Sequence, residues 1–142
     1  MTTADPYTSV RTFILTDSTV LAAVGSRIYP DYIPEGTTYP AVRLSMVSNR
    51  AEPHMTNVSA CSTMLMQVDI VSDTRLEANS IAETTRMHMS GYRGAMGSLE
   101  VRSCYESRQS AESLPPEDSS DEWLHVSSSD YQISFVSEVP SR

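Results

Sequence analysis

Lysine is missing altogether. The ten basic residues are all arginine, they stand against 18 carboxylates, and the chain carries a net charge of −8. Nucleic-acid affinity rests largely on cations held against phosphates, so this balance repels a polyanion and speaks against DNA or RNA binding. Attachment to an anionic membrane surface fails on the same ground. Apolar runs are short, and none approaches the ~18–20 residues that a membrane-crossing helix needs. Cysteine is limited to Cys61 and Cys104, far apart and without CxxC spacing, which predicts reduced strand residues rather than a disulfide. The opening Met1-Thr2-Thr3-Ala4-Asp5-Pro6 lacks the basic and apolar segments of a signal peptide, so a non-secreted chain is expected. At 142 residues, one domain spanning 1–142 is expected, with enough length for an ordinary core.

Catalytic signatures are also scarce. The histidines, His54, His88 and His125, have no second ligand at metal-binding spacing. Gly91, Gly94 and Gly97 recur every third residue, but they follow a helix and precede a strand. A phosphate loop needs the opposite order, so the run reads as a turn. Ser127-Ser128-Ser129 has no GxSxG elbow around it. Asp118, Asp121 and Glu122 lack the alternating ligands and central glycine of a calcium loop. No enzyme, cofactor or metal site is predicted.

The periodicity is more informative. Asp5-Pro6 reads as an N-cap followed by proline at the first helical position, with Val10, Phe13 and Ile14 at helical spacing behind it. Asp17 caps a second short helix carrying Val20, Leu21 and Val24, which Gly25 ends. A short strand falls around 28–33. From Ala41 the period becomes two: Val42, Leu44 and Met46, then Met64, Met66, Val68 and Ile70, predict two paired strands. The polar stretch 49–60 between them is read as a long hairpin loop. Thr74-Arg75-Leu76-Glu77 has capping-box spacing and opens the longest helix, with Ala78, Ile81, Ala82, Thr85, Met89 and Tyr92 along one stripe. Two strands follow, one with Leu99, Val101 and Tyr105 on a face and one with Tyr131, Ile133 and Phe135. Residues 110–122 between them are acidic and serine-rich and read as an insertion, and Trp123 beside it reads as either a core anchor or an interface hot spot, with core the preferred of the two. The expected fold is α+β, a mainly antiparallel sheet of four to five strands. One long helix covers a face and two short helices precede it.

The order of segments resembles the small tail-completion, or tail-terminator, proteins of long-tailed bacteriophages, also described as tail-to-head joining proteins. The residues that carry it are Val24-Gly25-Ser26-Arg27-Ile28-Tyr29-Pro30, Tyr39-Pro40-Ala41-Val42, Gln67-Val68-Asp69-Ile70 and Asp130-Tyr131-Gln132-Ile133-Ser134-Phe135, spread over residues 7–137. The resemblance implies a structural virion protein at the tail-neck junction, assembled in the host cytoplasm. It implies a six-fold ring that caps the head-proximal end of the tail tube, stops its polymerisation and meets the head-tail connector or stopper protein. DNA would pass through the lumen without specific binding, and like charge there would keep the genome from sticking. Two surfaces are expected to make contacts. Arg50, Glu52, His54, Met55 and Asn57 would reach the tube or a neighbouring subunit, and Glu117, Asp118, Asp121 and Glu122 the connector side. The alternatives are a head-completion or stopper protein of the neck and a small cytoplasmic ligand-binding α+β domain.

Overall fold

A computed structural model describes residues 5–52, 59–115 and 123–138. Three helices and six strands follow in the order α1 (Pro6–Ile14), α2 (Ser18–Val24), β1 (Ile28–Pro30), β2 (Ala41–Glu52), β3 (Ser59–Ser72), α3 (Arg75–Met89), β4 (Gly94–Met96), β5 (Leu99–Leu114) and β6 (Leu124–Glu138). The strands form one sheet in the order β1-β2-β3-β6-β5-β4. All neighbours are antiparallel except β1 and β2, which run parallel.

Each helix starts where its cap dictates. The Asp5 carboxylate accepts the Tyr7 N–H at 3.2 Å, with Pro6 at the first helical position. Asp17 Oδ1 accepts from Thr19 and Val20 at 2.9 and 3.1 Å. Thr74 Oγ1 accepts the Glu77 N–H at 3.2 Å. The reciprocal half of that capping box is relayed: Ser72 Oγ donates to the Glu77 carboxylate and accepts the Thr74 N–H at 3.4 Å. Every orphan donor so satisfied is one the helix need not leave bare.

One face of the sheet is covered by the helices. Val10, Phe13 and Ile14 of α1, Val20 and Val24 of α2, and Ala78, Ile81, Ala82 and Met89 of α3 meet the sheet there. They pack with Leu44, Met64, Met66, Val68, Ile70, Tyr131 and Ile133 in a single core cluster. The predicted helix stripe and the three period-two strand faces are thus the core.

The sheet has more strands than the four to five expected, and it is mixed. Ile28–Pro30 pairs parallel with Val42–Leu44, because the ten residues between the strands suffice to carry the chain back along a three-residue strand. β4 is too short for a periodic signal. The segments read as loops are partly strand: β2 and β3 pair out to Glu52 and Cys61, and β5 continues to Leu114 opposite Leu124. Backbone pairing is indifferent to polarity where both faces meet water, so polar residues extend these strands. On β5 the expected face breaks after Val101. A register shift between Val101 and Ser103 inserts one residue, which turns Cys104 inward (2 % exposed) and Tyr105 outward. Trp123 is not a core anchor: it is 53 % exposed, since the core is already filled from β3, β6 and the helices.

Candidate assembly surface

No set of side chains in the described residues converges for chemistry, and no group of three or more His, Cys, Asp or Glu residues is placed to hold a metal ion there. His88 is spent on structure. Its Nε2 lies 2.9 Å from both Phe13 O and Thr16 Oγ1, and its ring stacks on Phe13 at 4.4 Å, tying α3 to α1. A groove of about 360 Å³ between α2 and α3 has Val20, Ala23, Leu76 and Ile81 in its walls. No described helix is long and apolar enough to cross a membrane.

Beneath α3 lies a small buried polar group. Glu106 and Tyr131 face each other across β5 and β6, and neither Glu106 Oε2 nor the Tyr131 hydroxyl finds a well-formed hydrogen bond among the described residues. Burial raises the Tyr131 phenol above its ordinary value, with the Glu106 charge and then Cys104 adding to the effect. Burial likewise pushes the Cys104 thiol up to about 12. Cys104 and Tyr131 are fully buried and Glu106 is half-buried.

The arginines explain how so acidic a chain holds together. Arg11 donates to Ile28 O and Ser26 O at 3.2 and 2.9 Å, and Arg27 to Pro40 O and Ala23 O at 3.0 and 3.2 Å. Arg75 reaches from the first turn of α3 to Val126 O at 2.9 Å and Glu112 O at 2.6 Å. Arg43 pairs with Asp69, Arg86 with Glu83, and Arg102 with Glu100. Six of the ten arginines are thereby engaged within the chain as hydrogen-bonded or ion-paired cross-links, most of them half-buried. Arg75→Ala is expected to cost about 1–3 kcal/mol, because two carbonyls lose charge-assisted bonds. Arg75→Lys should recover only part, since an ammonium lacks the planar fork. Urea midpoints of the three proteins check this.

The helix-free face of the sheet is a polar ladder. Thr63 Oγ1 and Ser134 Oγ lie 3.1 Å apart, and Gln67 Nε2 donates to Asp69 Oδ1 at 2.8 Å. Asp69 is fully buried beneath the Arg43 guanidinium. Leu65, Gln132 and Ser128 share the face in the same registers, as do Arg50, Arg108, Glu112 and Asp130.

The lateral edges are where the molecule is incomplete. β1 covers β2 only along Val42–Leu44, and β4 covers β5 only along Leu99–Val101. Further along, single contacts take over. The Met46 N–H donates to the Tyr7 hydroxyl at 3.1 Å, the Gly91 N–H to Cys104 O at 2.6 Å, and the Glu106 N–H to Ser90 Oγ at 3.4 Å. Beyond Met46 on β2 and Glu106 on β5, the outward backbone groups have no strand beside them among the described residues. Such an edge is a template for pairing.

Of the residues singled out in the sequence, Arg50 stands exposed on this stretch of β2, and Glu52 ends the strand. His54, Met55, Asn57, Glu117, Asp118, Asp121 and Glu122 lie outside the described residues. The sheet edges themselves were missed, because pairing at an edge leaves no mark in side-chain periodicity. The uninterrupted, proline-free stretch 107–114 was the available signal.

Comparison with known proteins bears on the fold and the family. A chain from the structure "Virion of native gene transfer agent (GTA) particle" superposes with a TM-score of 0.61 at 12 % identity. The match covers 94 % of this chain and all of that one, and at such identity it shows the fold alone. A second solved chain reaches a TM-score of 0.45 at 13 % identity over 97 % of this chain and all of its own, too low to bear on the argument. No curated protein matches the sequence. The model of the family "Tail completion protein gp17" matches residues 8–112, from α1 into the far half of β5. The chain therefore belongs to the tail completion protein gp17 family and is a structural protein of the virion tail.

Proposed function

We propose that this chain closes into a ring, six-fold as in the family resemblance, that caps the head-proximal end of the tail tube and joins it to the head connector. The observation that carries the reading is the pair of incomplete sheet edges on opposite sides of one subunit. A subunit with two different open edges makes head-to-tail contacts, and such contacts close into a ring when the rotation permits. The absence of convergent catalytic groups among the described residues leaves the surface as the working part. Arg50, exposed near the end of β2, and Glu52, which ends that strand, belong to the surface that would touch the tube or a neighbour. The 117–122 segment is then the connector-facing acid, and Trp123, exposed beside it, is a contact of the type that anchors interfaces.

The test is a stop codon early in the gene, with lysates viewed by negative-stain microscopy. DNA-filled heads lying apart from tails of uncontrolled length are expected. Tails of normal length beside unjoined heads would move the chain to a stopper position in the neck. Intact infectious particles would overturn the assembly role.

A further inference from the structure

Which backbone groups face outward follows from the bonds along each edge. On β2, Val42 and Met46 donate outward and Leu44 accepts from outside. The bulge at Val47, between paired Met46 and Ser48, shifts the phase, so Asn49 and Ala51 face out beyond it. On β5, Cys104 and Glu106 face out and are covered by Gly91 and Ser90. The shift between Glu106 and Arg108 resets the phase there as well, leaving Gln109, Ala111 and Ser113 outward and without a neighbouring strand among the described residues. The two uncovered stretches therefore sit on opposite edges and at opposite ends of the sheet. They also run in opposite directions, because β2, β3, β6 and β5 alternate.

We propose that the β2 segment Asn49–Ala51 of one copy adds antiparallel to the β5 segment Gln109–Ala111 of the next, with Asn49 opposite Ala111, Arg50 opposite Ser110 and Ala51 opposite Gln109. This rests on the ring reading and deepens it by naming the partner strand and its register. Three observations fit that register and exclude one-residue slips from it. Outward groups meet outward groups. The Ser90–Gly91 cover on β5 and the β1 cover on β2 are both cleared. Side-chain faces also stay matched: Arg50 is level with Thr63 and Ser134, and Ser110 with Asp69 and Ser128, all on the helix-free face. A slip of one residue would put Arg50 on the wrong face of its partner.

The stagger has a geometric consequence. Asn49 is level with Ile133 of β6, and Ala111 with Ser127, so adjacent copies are offset by six residues, about 20 Å at about 3.4 Å per residue. Four long strands at about 4.8 Å spacing make each copy about 19 Å wide. An offset equal to the width inclines the strands by about 45°, at the edge of the 35–45° typical of closed barrels. A diagonal placement of open edges is what a closing, tilted sheet requires; level edges would leave it flat. The helices then lie outside and the polar ladder lines the lumen. Beside its amides and hydroxyls that lining carries charges of both signs: Arg43 with Asp69, Arg108 opposite Asp130, and Arg50 and Glu112.

The experiment introduces Arg50→Cys and Ser110→Cys together into the phage gene. In an antiparallel sheet this is a non-hydrogen-bonded pair with Cα atoms about 4.5 Å apart, within reach of a disulfide. Purified particles, oxidised and run without reductant, should give a ladder of cross-linked copies. The slipped pair Arg50→Cys with Ala111→Cys, on opposite faces, should give none. Joined particles that yield no ladder, or a ladder from the slipped pair, would overturn the register while leaving the ring intact. Intact infectious particles from the stop-codon gene would instead overturn the ring reading. Ala111→Pro guards against loss of folding. It removes one outward N–H that no described partner uses, so the urea midpoint of the free chain should hold while particle joining falls at least tenfold. Normal joining by Ala111→Pro would also sink the proposal.

Discussion

Gly97→Ala is expected to destabilise the chain by about 2–4 kcal/mol, one of the largest effects of any single methyl added to it. Gly97 sits in the two-residue turn between paired Met96 and Leu99, with a φ of +58°. A side chain there is strained by about 1–2 kcal/mol through backbone sterics alone. Space adds the rest. A Cβ would stand 2.7 Å from Ser9 Cα and 2.9 Å from Ser9 Cβ, and the first of these is backbone of α1 that cannot swing aside. The same contact holds the turn in place, since Ser9 Oγ accepts the Ser98 N–H at 3.3 Å. Gly36 supplies the control: its φ is +81°, but nothing lies within 4 Å of its added Cβ. Gly36→Ala should therefore cost only the conformational part, about 1–2 kcal/mol. For a domain of this size the gap should appear as a melting-temperature loss for Gly97→Ala several degrees larger than for Gly36→Ala. Equal losses would mean that α1 yields freely to the turn.

Alkaline pH is expected to unfold the chain steeply, through two acids buried in their neutral form. The Cys104 thiol is pushed up to about 12 from an ordinary 9.0, and Tyr131 is raised from 10.0, both chiefly by burial. Above their ordinary values the unfolded chain has released these protons and the folded chain still holds them. Fewer protons bound in the unfolded state means that stability falls as pH rises. Cys104 begins to act near pH 9 and Tyr131 near pH 10. Each contributes a slope of up to about 1.4 kcal/mol per pH unit in its window. Urea midpoints from pH 8 to 11 would show flat behaviour, then a decline that steepens past pH 10. Tyr131→Phe should flatten the upper part. At pH 7 it should change stability little or raise it, because the hydroxyl it removes is buried without a well-formed partner. A midpoint that stays level to pH 11 in the parent chain would refute both assignments.

The elements legible in the sequence were those whose signal is local. Asp5-Pro6, Asp17 and Thr74 each place a hydrogen-bond acceptor where a helix has bare N–H groups, and all three helices begin there. The stripe from Ala78 to Met89 and the alternation along β2, β3 and β6 mark a core face, because burial sorts side chains with the period of the backbone. The family resemblance was legible through the order of these same segments. Less legible were the features that depend on a partner distant in the chain. The bulge near Arg102 swaps Cys104 for Tyr105 in the core, and nothing at positions 102–105 announces it, since the extra residue is demanded by β6 and not by its own neighbours. The polar ends of β2, β3 and β5 read as loops because pairing to Glu52 or Leu114 uses backbone groups that every residue carries. The candidate surface belongs to this second class.

Capping chemistry and hydrophobic periodicity determined by themselves where the three helices begin and which faces of an α+β chain form the core. Those properties depend on residue type and short-range spacing, which the chain carries wherever it goes. The tertiary structure alone decided that β1 runs parallel, that Trp123 is exposed, and that Arg75 bridges α3 to β5 and β6. It alone left part of β2 and part of β5 without a neighbouring strand among the described residues. Such outcomes are set by which backbone groups find partners after the core has closed, and unpaired N–H and C=O groups look the same in every sequence.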